Sequence, residues 1–118
     1  MAEYQTNAAK LGAIYDTALI HARAAAFSCG YALAVHGSEM RDLDLIAVPW
    51  TDEATDAEAL IEKIVALTGG RIGDRPDEQR PHGRRAWSIH LNNEHTLGNF
   101  KPVLPYLDIS VMPRHEVA

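Results

Sequence analysis

The chain contains a single cysteine, Cys29, among its 118 residues. One thiol cannot form an intramolecular disulfide, and it cannot supply the several thiolates of a cysteine-rich zinc site. Positive charge is also scarce, because 11 Lys and Arg stand against 16 Asp and Glu, for a formal net charge of -5. A domain of this charge lacks the basic surface of a dedicated DNA-binding module. We expect a reduced protein in which Cys29 is buried and inert.

The sequence also lacks a clean apolar run of membrane-spanning length. The stretch from Ala18 to Val35 is interrupted by His21, Arg23, Ser28 and Gly30, whereas a spanning helix needs about 20 predominantly apolar residues. The first residues, Met-Ala-Glu-Tyr-Gln, show neither the basic start nor the apolar core of a secretory signal. We therefore expect a cytoplasmic protein with no membrane partner.

The composition is that of a folded domain. The hydrophobic share of 47% is sufficient for one core, and the chain length is ordinary for one domain. No repeat, low-complexity tract or linker divides the sequence. We predict a single domain over residues 1–118.

Two segments have the three- and four-residue apolar spacing of amphipathic helices. The first runs from about Asn7 to Cys29 and is followed by a glycine that can end a helix. The second opens with Thr55-Asp-Ala-Glu58, which has the spacing of a capping box, and closes at Gly69-Gly70. The sequence therefore predicts two helices.

Four segments have the composition and alternation of β-strands, at residues 31–36, 42–49, 86–91 and 106–112. We interpret residues 71–85 as a loop or a wide hairpin connection, and residues 92–105 as a connection. The predicted fold class is α+β, in the order α-β-β-α-β-β. In it a four-stranded mixed or antiparallel sheet carries both helices on one face.

Three aspartates on the polar faces of these strands have no evident structural purpose. Asp42 and Asp44 lie two residues apart, and Asp108 interrupts an otherwise apolar strand, although aspartate is depleted in strands. Carboxylates on one sheet face repel each other unless a cation neutralises them, and oxygen ligands suit Mg²⁺ or Mn²⁺. The residues alone leave an alternative open, in which these acids cap a turn or pair with a nearby Arg41, Arg85 or histidine.

The order of these residues resembles a known signature. His36-Gly37-Ser38, followed by Asp42-Leu43-Asp44-Leu45 and later by Leu107-Asp108-Ile109, is similar to the motif of the nucleotidyltransferase-fold, polymerase-beta-like superfamily. The resemblance implies a minimal single-domain, Mg²⁺-dependent nucleotidyltransferase. Such an enzyme transfers a nucleoside monophosphate from a nucleoside triphosphate to a hydroxyl acceptor.

The resemblance also implies roles for particular residues. Asp42 and Asp44 would be catalytic metal ligands for Mg²⁺ or Mn²⁺. Asp108 would be a metal ligand and the candidate base. Gly37 and Ser38 would bind the phosphates of the nucleotide.

The chain departs from this family in one respect. Only Glu39-Met40-Arg41 separates Gly-Ser from the first acid, where typical members have a longer segment, often a short helix whose N-terminus helps to hold phosphate. The alternative hypothesis is a non-catalytic binding or accessory module with the same fold, acting through a protein partner. Since the chain has no second domain to bind an acceptor, an enzyme of this size could use a partner or another copy of itself, as a homo-oligomer. The stretch Asp42 to Trp50 is also similar to small uncharacterised phage or prophage proteins.

Other polar and aromatic residues have two interpretations each. A run of basic residues could bind a triphosphate or an RNA backbone, or could lie in a solvated loop. This run comprises Arg75, Arg80, His82, Arg84 and Arg85. His36 and His90 could face the acids or be structural. Trp50 and Trp87 could stack a base, although one is expected to anchor the core or its rim.

Overall fold

The computed structural model of the chain describes residues 2–37, 42–73, 78–91, 95–97, 101–103 and 105–114. It contains helix α1, Ala2–Ser28, and helix α2, Ala57–Thr68, which are the two helices that the apolar spacing predicts. Helix α1 begins earlier than expected, because the residues before Asn7 include the strong helix formers Ala, Glu and Gln. Neither helix, over its described residues, is long and apolar enough to cross a membrane.

The ends of α2 are set by local hydrogen bonds. The Asp56 carboxylate accepts a hydrogen bond from the Ala59 N–H at 2.8 Å, so Asp56 is the N-cap. The expected capping box, with Thr55 as the cap, is therefore wrong by one residue. At the other end, the Gly69 N–H donates to the Val65 carbonyl at 2.9 Å, and the helix ends there as predicted.

The strands lie in the order β1 to β8 along the chain. Their bounds are Tyr31–His36 for β1, Leu43–Pro49 for β2, Arg71–Ile72 for β3, Glu78–Arg80 for β4, Arg84–His90 for β5, His95–Leu97 for β6, Lys101–Val103 for β7 and Tyr106–Val111 for β8. The four predicted strands are present as β1, β2, β5 and β8.

The main sheet is mixed and has the order β1-β2-β8-β5, with β3 and β4 both paired to the far edge of β5. Strands β2 and β8 are parallel, whereas the β1–β2, β5–β8, β3–β5 and β4–β5 pairs are antiparallel. Strands β6 and β7 form a separate antiparallel pair. The α+β class is confirmed. The prediction of four strands is wrong, since six described strands fill five positions across the main sheet.

The additional strands have weak sequence signals. Strand β3 has two residues and both are exposed, and β4 is the polar tripeptide Glu-Gln-Arg. Neither has the apolar alternation that marks a half-buried strand. They pair because β5 would otherwise expose one row of backbone donors and acceptors. The segment that we expected to be a loop or wide hairpin connection therefore contains both strands.

The core lies between the helices and one face of the sheet. Buried side chains of β2, β5 and β8 pack in one cluster with buried residues of both helices; the sheet side includes Leu43, Leu45, Trp87, Ile89, Leu107 and Ile109. Because side chains alternate along a strand, Asp44 and Asp108 project from the opposite face. The fold thus separates an apolar face covered by helices from a face that carries acids.

Candidate metal centre

Three aspartates meet on the face of the sheet opposite the helices. Asp44 and Asp108 are Cα partners across the parallel pair of β2 and β8. Asp42 lies one position before β2. One carboxylate oxygen from each aspartate lies within 4.8 Å of the others, and all three residues are half-buried. Sequence reasoning proposed these three residues, and the structure brings them together.

The acids belong to one continuous row across four strands. His36 of β1 is the Cα partner of Asp44, and Ser88 of β5 is the Cα partner of Asp108. The row therefore reads His36, Asp44, Asp108, Ser88 across the sheet. Side chains in such a row lie on one face at neighbouring-strand spacing, so an imidazole and a hydroxyl flank the carboxylates. His36 is thus beside the acids, as one of its two interpretations proposed.

The clustering of the acids disfavours the charged form of Asp44. The pKa of Asp44 is raised from 3.8 to about 6, with burial as the largest cause; a hydrogen bond with Asp42 and the charges of Asp42 and Asp108 also raise it, and the charge of His36 opposes the change. The cluster therefore favours a proton on Asp44 when no cation is near. A half-buried set of oxygen donors that repel one another fits Mg²⁺ or Mn²⁺, because these ions prefer carboxylate ligands.

Gly37 packs directly against the acid cluster. Its φ is +73°, and a Cβ at this position would lie 2.7 Å from Asp44 Oδ2. Only glycine adopts this conformation readily and leaves that space open. Gly37 therefore lies next to the acid cluster. Ser38, the other proposed phosphate ligand, lies outside the described residues.

Arg80 makes an ion pair with the acid cluster. Its Nη2 lies 3.4 Å from Asp108 Oδ1, and the two side chains are 32% and 23% exposed. The alternative that Asp108 pairs with a neighbouring arginine is therefore realised in this structure. Of the other two arginines in that alternative, Arg85 makes an ion pair with Glu58, and Arg41 lies outside the described residues.

The other residues of the basic run contact neighbouring residues, are exposed, or lie outside the described part of the chain. Arg85 also stacks on the Trp87 ring, 4.8 Å from its centroid. The Arg84 Nε donates to the Pro81 carbonyl at 3.1 Å. His82 is exposed in the turn between β4 and β5, and Arg75 is outside the described residues. Among the described arginines of this run, Arg80 makes an ion pair with the acids.

The other residues singled out in the sequence have mostly structural positions. Trp87 is 4% exposed and belongs to the core, whereas Trp50 is 61% exposed and contacts Phe27 with ring centroids 6.4 Å apart. Cys29 is buried and has a free thiol, as predicted. His90 stacks near Tyr106, with ring centroids 5.6 Å apart.

Sequence reasoning missed the contact that Tyr15 makes next to this site. Tyr15 lies in α1, is 1% exposed, and has a hydrogen bond with the backbone of Tyr106 at the start of β8. Burial raises the pKa of Tyr15 to about 12, and the charges of Asp42 and Asp44 contribute to the increase. Tyr15 therefore packs from the helix side against β8, the strand that carries Asp108. The helical spacing marked Tyr15 only as a core residue, with no signal for this contact.

Comparisons with known proteins add no identity to this site. A scan against protein-family models, a search of curated proteins and a search of solved structures each found no match to the chain. The chemistry of the site must therefore be argued from its own residues.

Proposed function

We propose that the protein is a divalent-metal-dependent nucleotidyltransferase. The observation that supports this proposal is the convergence of Asp42, Asp44 and Asp108, whose carboxylate oxygens lie within 4.8 Å of one another. A second support is Gly37, whose backbone is held against Asp44 with no side chain between them. This combination is the one that the sequence motif of the nucleotidyltransferase fold implies. The site is here assigned to Mg²⁺ or Mn²⁺, with a nucleoside triphosphate as substrate.

The three aspartates would hold the divalent cation and its phosphate ligand. A bound cation at such a site neutralises phosphate charge and lowers the pKa of a hydroxyl group that contacts it. Asp42 and Asp44 would bind through carboxylate oxygens on the same side of the sheet. The backbone of Gly37 would approach a phosphate oxygen, because a side chain at this position would fill the approach.

Asp108 is assigned the second role of base. The acceptor hydroxyl oxygen forms a bond to the α-phosphorus, the bond from that phosphorus to the bridging oxygen breaks, and pyrophosphate leaves. The hydroxyl proton passes to the Asp108 carboxylate, so atoms and charge balance. Most of the acceleration in such a transfer comes from positioning and charge stabilisation. The acceptor is a hydroxyl group on a small molecule, a nucleic acid or a protein.

A second candidate function is a non-catalytic module acting through a partner protein. One observation favours it: Asp108 is already neutralised in part by Arg80, with Nη2 and Oδ1 3.4 Å apart. An arginine side chain of the protein can supply the positive charge that stabilises the acid cluster when no metal is bound. In that case Asp108 would be a structural residue.

Calorimetry distinguishes the two functions. The wild type is titrated with a non-hydrolysable nucleoside triphosphate in the presence of Mn²⁺, beside Asp44→Asn and the control Asp52→Asn. Asp52 is exposed, lies in the loop between β2 and α2, and is outside the site. We expect wild type and Asp52→Asn to bind alike and Asp44→Asn to lose binding. Absence of wild-type binding at millimolar triphosphate would replace the enzyme proposal with the accessory module.

Turnover separates the roles of the acids once binding is established. Pyrophosphate release is followed with each of the four nucleoside triphosphates and a panel of hydroxyl acceptors. Asp108→Ala is expected to bind triphosphate nearly as wild type does but to lose turnover, because the proton acceptor is gone. Asp44→Ala is expected to lose both, since phosphate charge is no longer offset. Equal loss of binding in both variants would contradict the assignment of Asp108 as base.

A further inference from the structure

We propose that Arg80 is an exchangeable counter-ion of this site: it neutralises Asp108 when no metal is bound, and moves to the phosphates of the ligand when metal takes Asp108. This inference rests on the proposed function and adds a phosphate-binding and regulatory residue to it. The class of ligand is a polyphosphate bound together with a divalent cation. The proposal depends on the contact that Arg80 makes, on the way the fold holds it, and on the charge of the site.

The contact between Arg80 and Asp108 is of an exchangeable kind. The Nη2 to Oδ1 distance of 3.4 Å is long for a charge-assisted hydrogen bond, and both side chains are partly exposed. Solvent-exposed ion pairs of this type contribute little free energy, because water and salt screen them. A divalent cation with three carboxylate ligands can therefore displace the guanidinium from Asp108. The ion pair between Arg80 and Asp108 is then broken, while Arg80 stays next to the site.

The β4–β5 hairpin fixes the backbone of Arg80 near the site. Arg80 is the Cα partner of Arg84, at the hairpin's closed end. The turn between them includes His82 and Gly83 with φ of 66° and 73°, both in the left-handed region. The Arg84 Nε binds the Pro81 carbonyl within the same turn. The hairpin end is thereby closed on itself, so that exchange requires rotation of the Arg80 side chain rather than movement of the strand.

The register indicates that the Arg80 side chain extends over the sheet face. Arg84 and Ser88 lie four residues apart on β5, and the row that contains Ser88 also contains Asp108. The Arg80 side chain reaches Asp108 across the intermediate row, which includes Ala86 and Ser110. These two small residues are 2% and 1% exposed. Arg80 thus reaches the acids from the β5 side of the sheet.

The charge of the site favours this exchange. The described cluster has three acids, and a bound triphosphate adds further negative charge. Arginine binds phosphate oxygens through two parallel N–H donors, which a metal-bound phosphate near Asp108 would offer. The same guanidinium repels a metal ion that arrives alone. Arg80 should therefore weaken binding of the free cation but strengthen binding of the cation with its polyphosphate.

Two binding titrations test these opposite effects. The probes are Mn²⁺ alone, and a non-hydrolysable nucleoside triphosphate in saturating Mn²⁺. The variants are Arg80→Gln and Arg84→Gln, which remove the same charge from the same hairpin. Arg84→Gln is the matched control, because the Arg84 guanidinium binds the carbonyl of its own turn. Arg80→Lys keeps the charge and tests whether the two-donor geometry matters.

We expect Arg80→Gln to bind Mn²⁺ alone about three- to fivefold more tightly than wild type, which is the scale of an exposed ion pair. We expect it to bind the triphosphate about tenfold more weakly, which is the scale of a charged hydrogen bond. Arg84→Gln should match wild type in both titrations. Arg80→Lys should restore the wild-type affinity for Mn²⁺ alone and only part of the affinity for triphosphate. Melting curves of each variant report whether the fold is retained.

The outcomes distinguish a failure of this inference from a failure of the proposed function on which it rests. If wild type binds Mn²⁺ and triphosphate through Asp44 but Arg80→Gln behaves as Arg84→Gln does, only the role of Arg80 is overturned. A change of the same sign in both titrations would likewise overturn the exchange. If wild type and Asp44→Asn bind Mn²⁺ equally, both the metal site and the exchange fail. The Asp44→Asn titration is therefore run first.

Discussion

Asp44 and Asp108 are direct Cα partners across the only parallel pair described in the main sheet, although they lie 64 positions apart in the chain. Neighbouring strands lie about 4.8 Å apart, so two carboxylates on one face of this pair are held close by the backbone itself. The β5 strand then pairs to the other edge of β8 and brings the β4 hairpin, with Arg80, to the same face. The sheet order thus positions both the acids and their counter-ion.

Metal should stabilise the folded protein through this pair. Because a cation binds the native cluster and not the dispersed acids of the unfolded chain, its binding adds to the free energy of unfolding, by roughly 2.7 kcal/mol at 100 times the Kd. We expect the Tm to rise with Mg²⁺ or Mn²⁺ by several degrees. The measurement is thermal unfolding at increasing metal concentration.

The double variant Asp42→Asn, Asp44→Asn should lose most of this increase, whereas the exposed Asp52→Asn control should keep it. An equal increase in the double variant and the wild type would mean that metal binds elsewhere. The metal-free Tm of the double variant is expected to be no lower than that of wild type, since amides remove the repulsion among the acids.

The raised pKa of Asp44 predicts how stability depends on pH in the metal-free protein. The folded state retains a proton up to about pH 6, and the unfolded state loses it near pH 3.8. Between these values the native state binds more protons, so the free energy of unfolding from this group falls as pH rises, and it is constant above. Burial is the largest cause of this raised pKa; Asp42 and Asp108 add to it, and His36 reduces it.

Denaturant unfolding from pH 3.5 to 7.5 measures this dependence. Comparing wild type with Asp44→Asn at each pH isolates the contribution of this carboxyl. The stability of wild type relative to the variant should decrease through the window and then level off. Carbon NMR of the Asp44 carboxyl gives its midpoint independently. A midpoint near the ordinary value of 3.8 would contradict the electrostatic account of the site.

Gly37→Ala should damage the site more than an ordinary glycine substitution does. A Cβ there would lie 2.7 Å from Asp44 Oδ2, and the φ of +73° disfavours any side chain. We expect a loss of stability of about 1 kcal/mol or more and a weaker response to Mn²⁺. The control is Gly12→Ala in α1, where a Cβ would meet nothing within 4 Å.

At Gly12 the same substitution is expected to stabilise the helix by about 0.5 to 1 kcal/mol, because alanine has the higher helix propensity. Its metal response should equal that of wild type. A Gly37→Ala variant that bound Mn²⁺ normally would show that Gly37 is an ordinary turn residue.

Much of the site could be predicted because its signals are local. Alternation around Asp44 and Asp108 assigned each acid to the polar face of a strand, and the buried neighbours of these acids confirm that pattern. The order of Gly37 and the acids suggested one site. The pairing of β2 with β8 could not be predicted, since apolar alternation does not state which strands are neighbours.

The contacts of Arg80 and Tyr15 could not be predicted for a related reason. Strand β4 is short and polar, so its sequence resembles a loop, and its pairing depends on the exposed edge of β5. Tyr15 lies on the apolar stripe of α1 like its neighbours, and its hydroxyl meets the start of β8 only after the helix packs on the sheet. Tertiary packing, rather than local pattern, determines both contacts.

Tyr15→Phe should separate support of the acid site from general stability. Loss of the hydroxyl removes the hydrogen bond with the Tyr106 backbone at the start of β8, at a cost of about 1 kcal/mol. The matched control is Tyr31→Phe, which loses a buried hydroxyl donating to the Thr55 carbonyl at 2.6 Å. Both variants are expected to unfold at lower denaturant concentration by similar amounts. Only Tyr15→Phe should also weaken Mn²⁺ binding, by a few fold, because it loosens the strand that carries Asp108. Equal Mn²⁺ affinities in the two variants would show that Tyr15 stabilises the core without positioning the acids.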